Sequence, residues 1–156
     1  NYCPTLSHIP SLAINTLEQL IEMQLSKNEN IYLIGSSLGG FYALYLSNKY
    51  NLKAVLINPA IYPYKTLDKI GRATHYFDMS KFEVTNEHLE FLKKLEVDSF
   101  THESNFMILL QKGDETLNYK DAILKLPNAK LIVEEGGSHS FDGIQRYFEA
   151  IDLFFN

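Results

Sequence analysis

Three residues in this chain have the types and settings that nucleophilic acyl transfer needs: Ser37, Asp114 and His139. A serine hydroxyl is a weak nucleophile at neutral pH, so it requires a base beside it, and the base requires a carboxylate to orient its ring. Ser37 is the centre of Gly35-Ser36-Ser37-Leu38-Gly39, preceded by an apolar run over residues 31–34 and followed by a helical pattern over residues 39–50. A strand that turns sharply into a helix holds its middle residue in a strained backbone conformation, and flanking glycines avoid collisions with neighbouring backbone. The Ser37 hydroxyl is then expected at the carboxyl end of the strand, where the Leu38 backbone N–H and the positive end of the helix dipole stabilise an oxyanion.

The acid and the base are read from the two later strand ends. Gly113-Asp114-Glu115 follows one apolar run and Gly136-Gly137-Ser138-His139 follows the next, which is where open α/β sheets place their sites. Two other acids compete with Asp114. Asp142 lies three residues beyond His139 and suits the first turn of the last helix, where an anion meets the dipole, and Glu115 is expected to point elsewhere. His8, His75, His88 and His102 fall in loops, in a long connection or on a polar helix face, and read as solvated or capping residues. His75 with Asp78, and Glu87 with His88, form scattered pairs without a third ligand at a metal-site spacing. Residues 35–40 also lack the lysine of a phosphate-binding loop and the glycine spacing of a dinucleotide fold. The chemistry therefore calls for neither metal nor organic cofactor.

Four short apolar runs, at residues 31–34, 54–57, 106–110 and 130–133, read as strands buried on both faces. Helical patterns occupy residues 11–26, 39–50 and 118–126, and Ile144, Tyr147, Phe148, Ile151 and Phe155 mark one last amphipathic helix. Strands alternating with helices predict a three-layer α/β domain with a mostly parallel sheet. Residues 61–105 are too long for a plain connection and carry a helix near 86–95, so they read as a lid-like insertion in a single domain spanning 1–156.

With 156 residues, 46% of them hydrophobic and 21% charged, the chain suits one globular domain with a sizeable core. Its 14 basic and 19 acidic residues give a net charge of −5 without a basic cluster, which argues against a nucleic-acid partner. The single cysteine, Cys3, makes no intramolecular disulfide and fits a reducing compartment. No run reaches a membrane span and no basic-then-apolar leader opens the sequence, so the expected location is cytoplasmic, with no membrane partner.

Four blocks occur in order: residues 35–43 (Gly-Ser-Ser-Leu-Gly-Gly-Phe-Tyr-Ala), Asn58-Pro59-Ala60, residues 113–119 (Gly-Asp-Glu-Thr-Leu-Asn-Tyr) and residues 135–141 (Glu-Gly-Gly-Ser-His-Ser-Phe). Together they resemble the YqiA-type small bacterial esterases of the α/β-hydrolase superfamily, in which the chain order is nucleophile, acid, base. The resemblance implies an α/β-hydrolase fold and a carboxylic-ester or thioester hydrolase with Ser37 as nucleophile, Asp114 as acid and His139 as base. Its partner would be a small-molecule acyl ester or thioester. Phe41, Tyr62, Tyr64, Tyr76, Phe77 and Phe82 are candidate walls of the acyl pocket, or else aromatics that pack the insertion onto the sheet. The front of the chain departs from the family pattern. Such enzymes begin with a strand and a His-Gly loop that supplies a second oxyanion donor, whereas residues 1–10 read as the segment that follows that element. The expectation is that the N-terminal strand is missing here, or that one donor has been lost. Two rival readings share the same residues: a non-catalytic hydrolase-fold binding module, and a peptidase or acyltransferase using the same triad.

Overall fold

The computed structural model describes residues 2–70, 72–74 and 81–156, and its chain forms two compact units. One comprises Ile31–Ile61 and Val97–Asn156, the other Asn1–Asn30 and Tyr62–Glu96. Among the described residues, no helix is long and apolar enough to cross a membrane.

The first unit is built on a four-stranded parallel sheet with the order β1 (Tyr32–Ser37), β2 (Lys53–Pro59), β5 (Phe106–Gln111), β6 (Lys130–Glu134). The two central strands are the apolar ones. Ala54, Val55 and Leu56 of β2, and Phe106 through Leu110 of β5, are buried on both faces. Helix α2 (Leu38–Tyr50) follows β1 directly, packs on β1 and β2, and ends at Asn51 in the left-handed conformation that asparagine tolerates. A short α5 (Tyr119–Lys125), capped by the Asn118 side chain on the Lys120 N–H, joins β5 to β6. On one sheet face Val55, Met107 and Leu109 pack with Phe141 and Ile151, and with Phe154 and Phe155 of α6 (Phe148–Phe155).

The outer strands differ from the expectation of burial on both faces. In β1 exposure alternates, and Tyr32 and Ile34 are open to solvent. Among the described residues β1 is paired only with β2, and α6 meets its outer residues at Tyr32, whose ring stacks on Phe155 at 4.7 Å. At the other side of the sheet Val133 of β6 is exposed for the same reason, since among the described residues β6 pairs only with β5. A strand with one neighbour keeps its apolar composition but loses the cover that a central strand receives.

The last helix is also shorter than expected. Residues Ile144–Tyr147 form a 3₁₀ turn, and α6 begins only at Phe148. The tighter turn brings Arg146 and Tyr147 together onto Glu134 at the end of β6. Glu134 also accepts a hydrogen bond from the Gln111 amide at 2.7 Å, so one carboxylate ties two strands to the C-terminal segment.

The second unit contains α1 (Pro10–Leu25), α3 (Pro63–Ile70), an antiparallel pair β3 (Arg72–Thr74) and β4 (Lys81–Glu83), and α4 (Asn86–Lys94). Pro10 opens α1, where its missing N–H costs nothing. Thr85 opens α4 through a capping box: its hydroxyl accepts from the His88 N–H, and its own N–H donates to the His88 ring. Helices α1 and α3 both pack on α4. The helix expected near 86–95 is α4; α3 and the strand pair were not expected. Helix α3 is mostly polar and the strands are three residues long, too short for a hydrophobic period to emerge.

Hydrogen bonds from Gln111, Tyr147 and Arg146 favour the charged form of Glu134 and push its pKa down from 4.5 to about 2. A carboxylate with a depressed folded-state pKa stabilises the fold above its unfolded pKa and loses that contribution as pH falls through the folded one. Stability should therefore drop progressively between about pH 4.5 and pH 2. In Glu134→Gln that part of the acid limb should flatten, measured by denaturant midpoints at intervals of pH; an unchanged slope would contradict the assignment.

Candidate functional site

Ser37 is the last residue of β1 and immediately precedes α2. Its backbone sits at φ 53°, ψ −122°, a combination rare for a residue with a side chain, whereas its neighbour Ser36 lies on the ordinary strand path. Gly35 makes the turn sterically feasible: a Cβ there would stand 2.2 Å from the Gly39 carbonyl oxygen. The register with β2 shifts between Ser36 and Ser37, which pairs Ser37 with Pro59, and the Ala60 N–H donates to the Ser37 carbonyl at 2.9 Å. Leu38 is the first residue of α2, so its N–H belongs to the first turn, which has no intrahelical acceptors.

The three residues singled out in the sequence come together. His139 Nε2 lies 3.0 Å from Ser37 Oγ, and His139 Nδ1 lies 3.0 Å and 2.9 Å from the two carboxylate oxygens of Asp114. The Asp114 side chain is 3% exposed and that of His139 23%, so the carboxylate is sealed while the ring keeps one edge accessible. Asp114 Oδ1 also accepts the Thr116 and Leu117 N–H groups, each at 2.8 Å, which fixes the plane of the carboxylate. A carboxylate facing Nδ1 places the ring proton on that nitrogen and leaves the Nε2 lone pair to accept from the Ser37 hydroxyl. The arrangement can withdraw the serine proton as the oxygen becomes a nucleophile.

The loop carrying His139 is held by the side chains of Asn58 and Gln111. Asn58, at the end of β2, donates from Nδ2 to the Ser138 carbonyl at 2.9 Å and the His139 carbonyl at 3.1 Å, and its Oδ1 accepts the Gln111 N–H at 2.9 Å. Gln111, at the end of β5, accepts on Oε1 from the Ser138 N–H at 3.1 Å and the Asp142 N–H at 2.8 Å. Its Nε2 donates to the Asp142 carbonyl at 2.9 Å as well as to Glu134. Gly137, at φ 77°, lies so close to this amide that a Cβ would sit 2.1 Å from Gln111 Oε1. One signal in the sequence could have located Gln111, a polar residue closing the run Phe-Met-Ile-Leu-Leu, since a buried amide there must find partners.

Two expectations about the competing acids are corrected. Glu115 does not point elsewhere: its Oε2 accepts the His139 backbone N–H at 3.0 Å, because the Asp114 turn brings the next side chain back over the base loop. Asp142 does not enter the first turn of a helix, since Gly143 intervenes in a left-handed conformation, and the Asp142 carboxylate instead accepts from Ser138 Oγ at 2.8 Å. Among the other histidines, His88 caps α4, His8 and His102 are exposed, and His75 lies outside the described residues.

The candidate pocket walls scatter. Phe41 is 1% exposed and belongs to the core, with its ring tilted against Tyr42, so the expected lining role gives way to packing. Tyr62 and Tyr64 lie in the second unit, where they meet edge to face at 6.4 Å and Lys65 stands 4.2 Å above the Tyr62 ring. Tyr76, Phe77, Asp78 and the side chain of Phe82 lie outside the described residues. Among the described residues no three His, Cys, Asp or Glu side chains gather as metal ligands.

Comparison with known proteins places this geometry in context. The UPF0227 protein YcfP of Escherichia coli O9:H4 (strain HS) is 28% identical over 134 residues, covering 85% of this chain and 68% of that protein. Among solved structures, Est1E from Butyrivibrio proteoclasticus with ferulic acid bound superposes with a TM-score of 0.67 at 16% identity, covering 95% of this chain and 68% of that one. The esterase domain of a Rhodothermus marinus protein superposes with a TM-score of 0.64 at 15% identity, covering 90% of this chain and 67% of that one. At these identities the superpositions speak for the fold, which is that of the α/β-hydrolases, as the ordered blocks of the sequence implied. The family described as "Uncharacterised protein family (UPF0227)" matches residues 2–156. The chain therefore belongs to the UPF0227 family, and it carries the α/β-hydrolase fold.

Proposed function

We propose that this protein is a serine hydrolase that cleaves carboxylic esters or thioesters, with Ser37 as nucleophile, His139 as general base and Asp114 as the acid that orients it. The observation that supports this reading is the continuous hydrogen-bonded line from Ser37 Oγ through the His139 ring to the buried Asp114 carboxylate. A hydroxyl in a strained turn, aimed at an imidazole whose far nitrogen is held by a sealed carboxylate, is arranged for acyl transfer.

In the proposed reaction Ser37 Oγ attacks the carbonyl carbon while His139 Nε2 takes its proton. The carbonyl oxygen becomes an oxyanion beside the Leu38 N–H at the start of α2, where the helix dipole favours negative charge. Collapse of the tetrahedral species breaks the carbon–oxygen or carbon–sulfur bond, and the His139 proton leaves with the alcohol or thiol. Water then attacks the Ser37 acyl ester, giving its proton to His139, and the second collapse releases the acid and restores the serine. Asp114 stabilises the imidazolium in both halves without itself taking the proton.

Kinetics on a panel of short acyl esters and thioesters test the roles. Ser37→Ala should lower kcat by about 10⁴-fold or more, whereas Ser36→Ala, one residue outside the strained turn, should leave it within a few fold. Full turnover in Ser37→Ala would sink the proposal.

The acid is tested separately. Asp114→Asn keeps the shape but favours the wrong ring tautomer, so kcat should fall by up to about 10⁴-fold while the thermal midpoint changes little. A larger loss in Glu115→Gln than in Asp114→Asn would move the acid by one residue.

A further inference from the structure

Asn58-Pro59-Ala60 is the block of the sequence to which the proposed reaction gives no part, yet it bonds to the backbone of Ser37, of His139 and of the strand that leads to Asp114. Asn58 is 2% exposed and sits at φ 38°, a conformation that asparagine tolerates better than most residues. Its carboxamide is fully used, with one acceptor on the Gln111 N–H and two donors on the Ser138 and His139 carbonyls. Next to it, Pro59 is the register partner of Ser37, and the Ala60 N–H donates to the Ser37 carbonyl. Gln111 lies three residues before Asp114 and ends the strand that leads to it.

The chemistry of the position is narrow. Two carbonyl oxygens and one N–H face a single side chain, so that side chain must present two donors and one acceptor from one planar group. A carboxylate offers no donor and would face two carbonyl oxygens; an apolar side chain would take away the partner of the buried Gln111 N–H and release the Ser138 and His139 carbonyls from the end of β2. An amide one methylene longer would not fit the same triangle of partners from the same Cα.

We infer that Asn58 is a positioning residue for the reaction, setting the distance between Ser37 Oγ and His139 Nε2 by fixing the His139 backbone against the end of β2, where Ala60 in turn bonds the Ser37 carbonyl. The inference rests on the proposed pairing of Ser37 with His139. Because the base loop is also held by Gln111 and Glu115, releasing the Asn58 bonds shifts the loop rather than unfolding it. A displacement of about 1 Å between reacting groups costs about 10²-fold in rate, and the loss falls on the chemical step, not on substrate binding.

The test compares the wild-type protein with Asn58→Asp, Asn58→Ala and Asn58→Ser, each checked for cooperative unfolding. Two quantities are read: kcat and KM on a short acyl ester, and the downfield proton resonance of His139 Nδ1–H, assigned by its loss in His139→Gln. Asn58→Asp and Asn58→Ala should lower kcat by about 10–100-fold with KM within about two-fold, and should shift or broaden the His139 resonance. Asn58→Ser, which keeps one donor, should fall between them and the wild type. Wild-type kcat and an unmoved resonance in any folded Asp or Ala variant would overturn the inference. Failure of all three to fold would overturn it equally, by assigning Asn58 to the fold alone. If no ester is turned over even by the wild type, but the resonance responds to Asn58 as stated, then the ester reading fails and the positioning role stands.

Discussion

The turn at Ser37 is the constraint on which the rest of the site depends. A non-glycine residue at φ 53°, ψ −122° stores strain of about 1–3 kcal/mol and persists only where its surroundings leave no alternative. Here those surroundings are a strand on one side, a helix that begins one residue later, and the end of β2, which bonds to the Ser37 carbonyl and forces a register shift beside it. The strain also separates two adjacent serines, lifting Ser37 into the turn while Ser36 stays on the strand path. Gly35 follows as a requirement, since the turn brings the Gly39 carbonyl into the space of any Cβ.

From that turn outward, the structure solves one problem repeatedly, which is how to hold a reactive loop without exposing or orphaning its polar backbone. The base loop has little regular structure, and its groups are met by the side chains of Asn58, Gln111 and Glu115 instead. Two of these are neutral amides at the ends of the central strands, buried where water does not compete. Neutral amides suit the place, because each supplies both donor and acceptor atoms to backbone groups around the loop without burying a further charge. Glu134, at the rim, carries the charge in this network and is stabilised there by Arg146, Tyr147 and Gln111.

Much of this was legible in the residues, and the reason differs from element to element. The strands over 54–57 and 106–110 could be read because central strands of a parallel sheet are apolar on both faces, and the elbow because its glycines answer a steric demand. Asp114 and His139 could be placed because each follows a strand and a glycine. The exposure of Tyr32, Ile34 and Val133 was not legible, since composition does not reveal how many neighbours a strand has. The partners of Asn58, Gln111 and Glu115 were hidden for a related reason: each makes its bonds to residues 23 to 81 positions away, which no local pattern encodes. Phe41 misled because an aromatic next to a nucleophile reads as a pocket wall until the packing of α2 shows it facing the core.

The central claim is that Ser37 forms the covalent bond with the acyl group. It is tested most directly by treating the protein with a fluorophosphonate and mapping the modified peptide by tandem mass spectrometry. The account predicts one phosphonyl group per chain, on Ser37, attached at a rate that collapses when His139 is replaced by Gln. A label on Ser36 or elsewhere, or ester turnover in a protein whose Ser37 never becomes labelled, would contradict it.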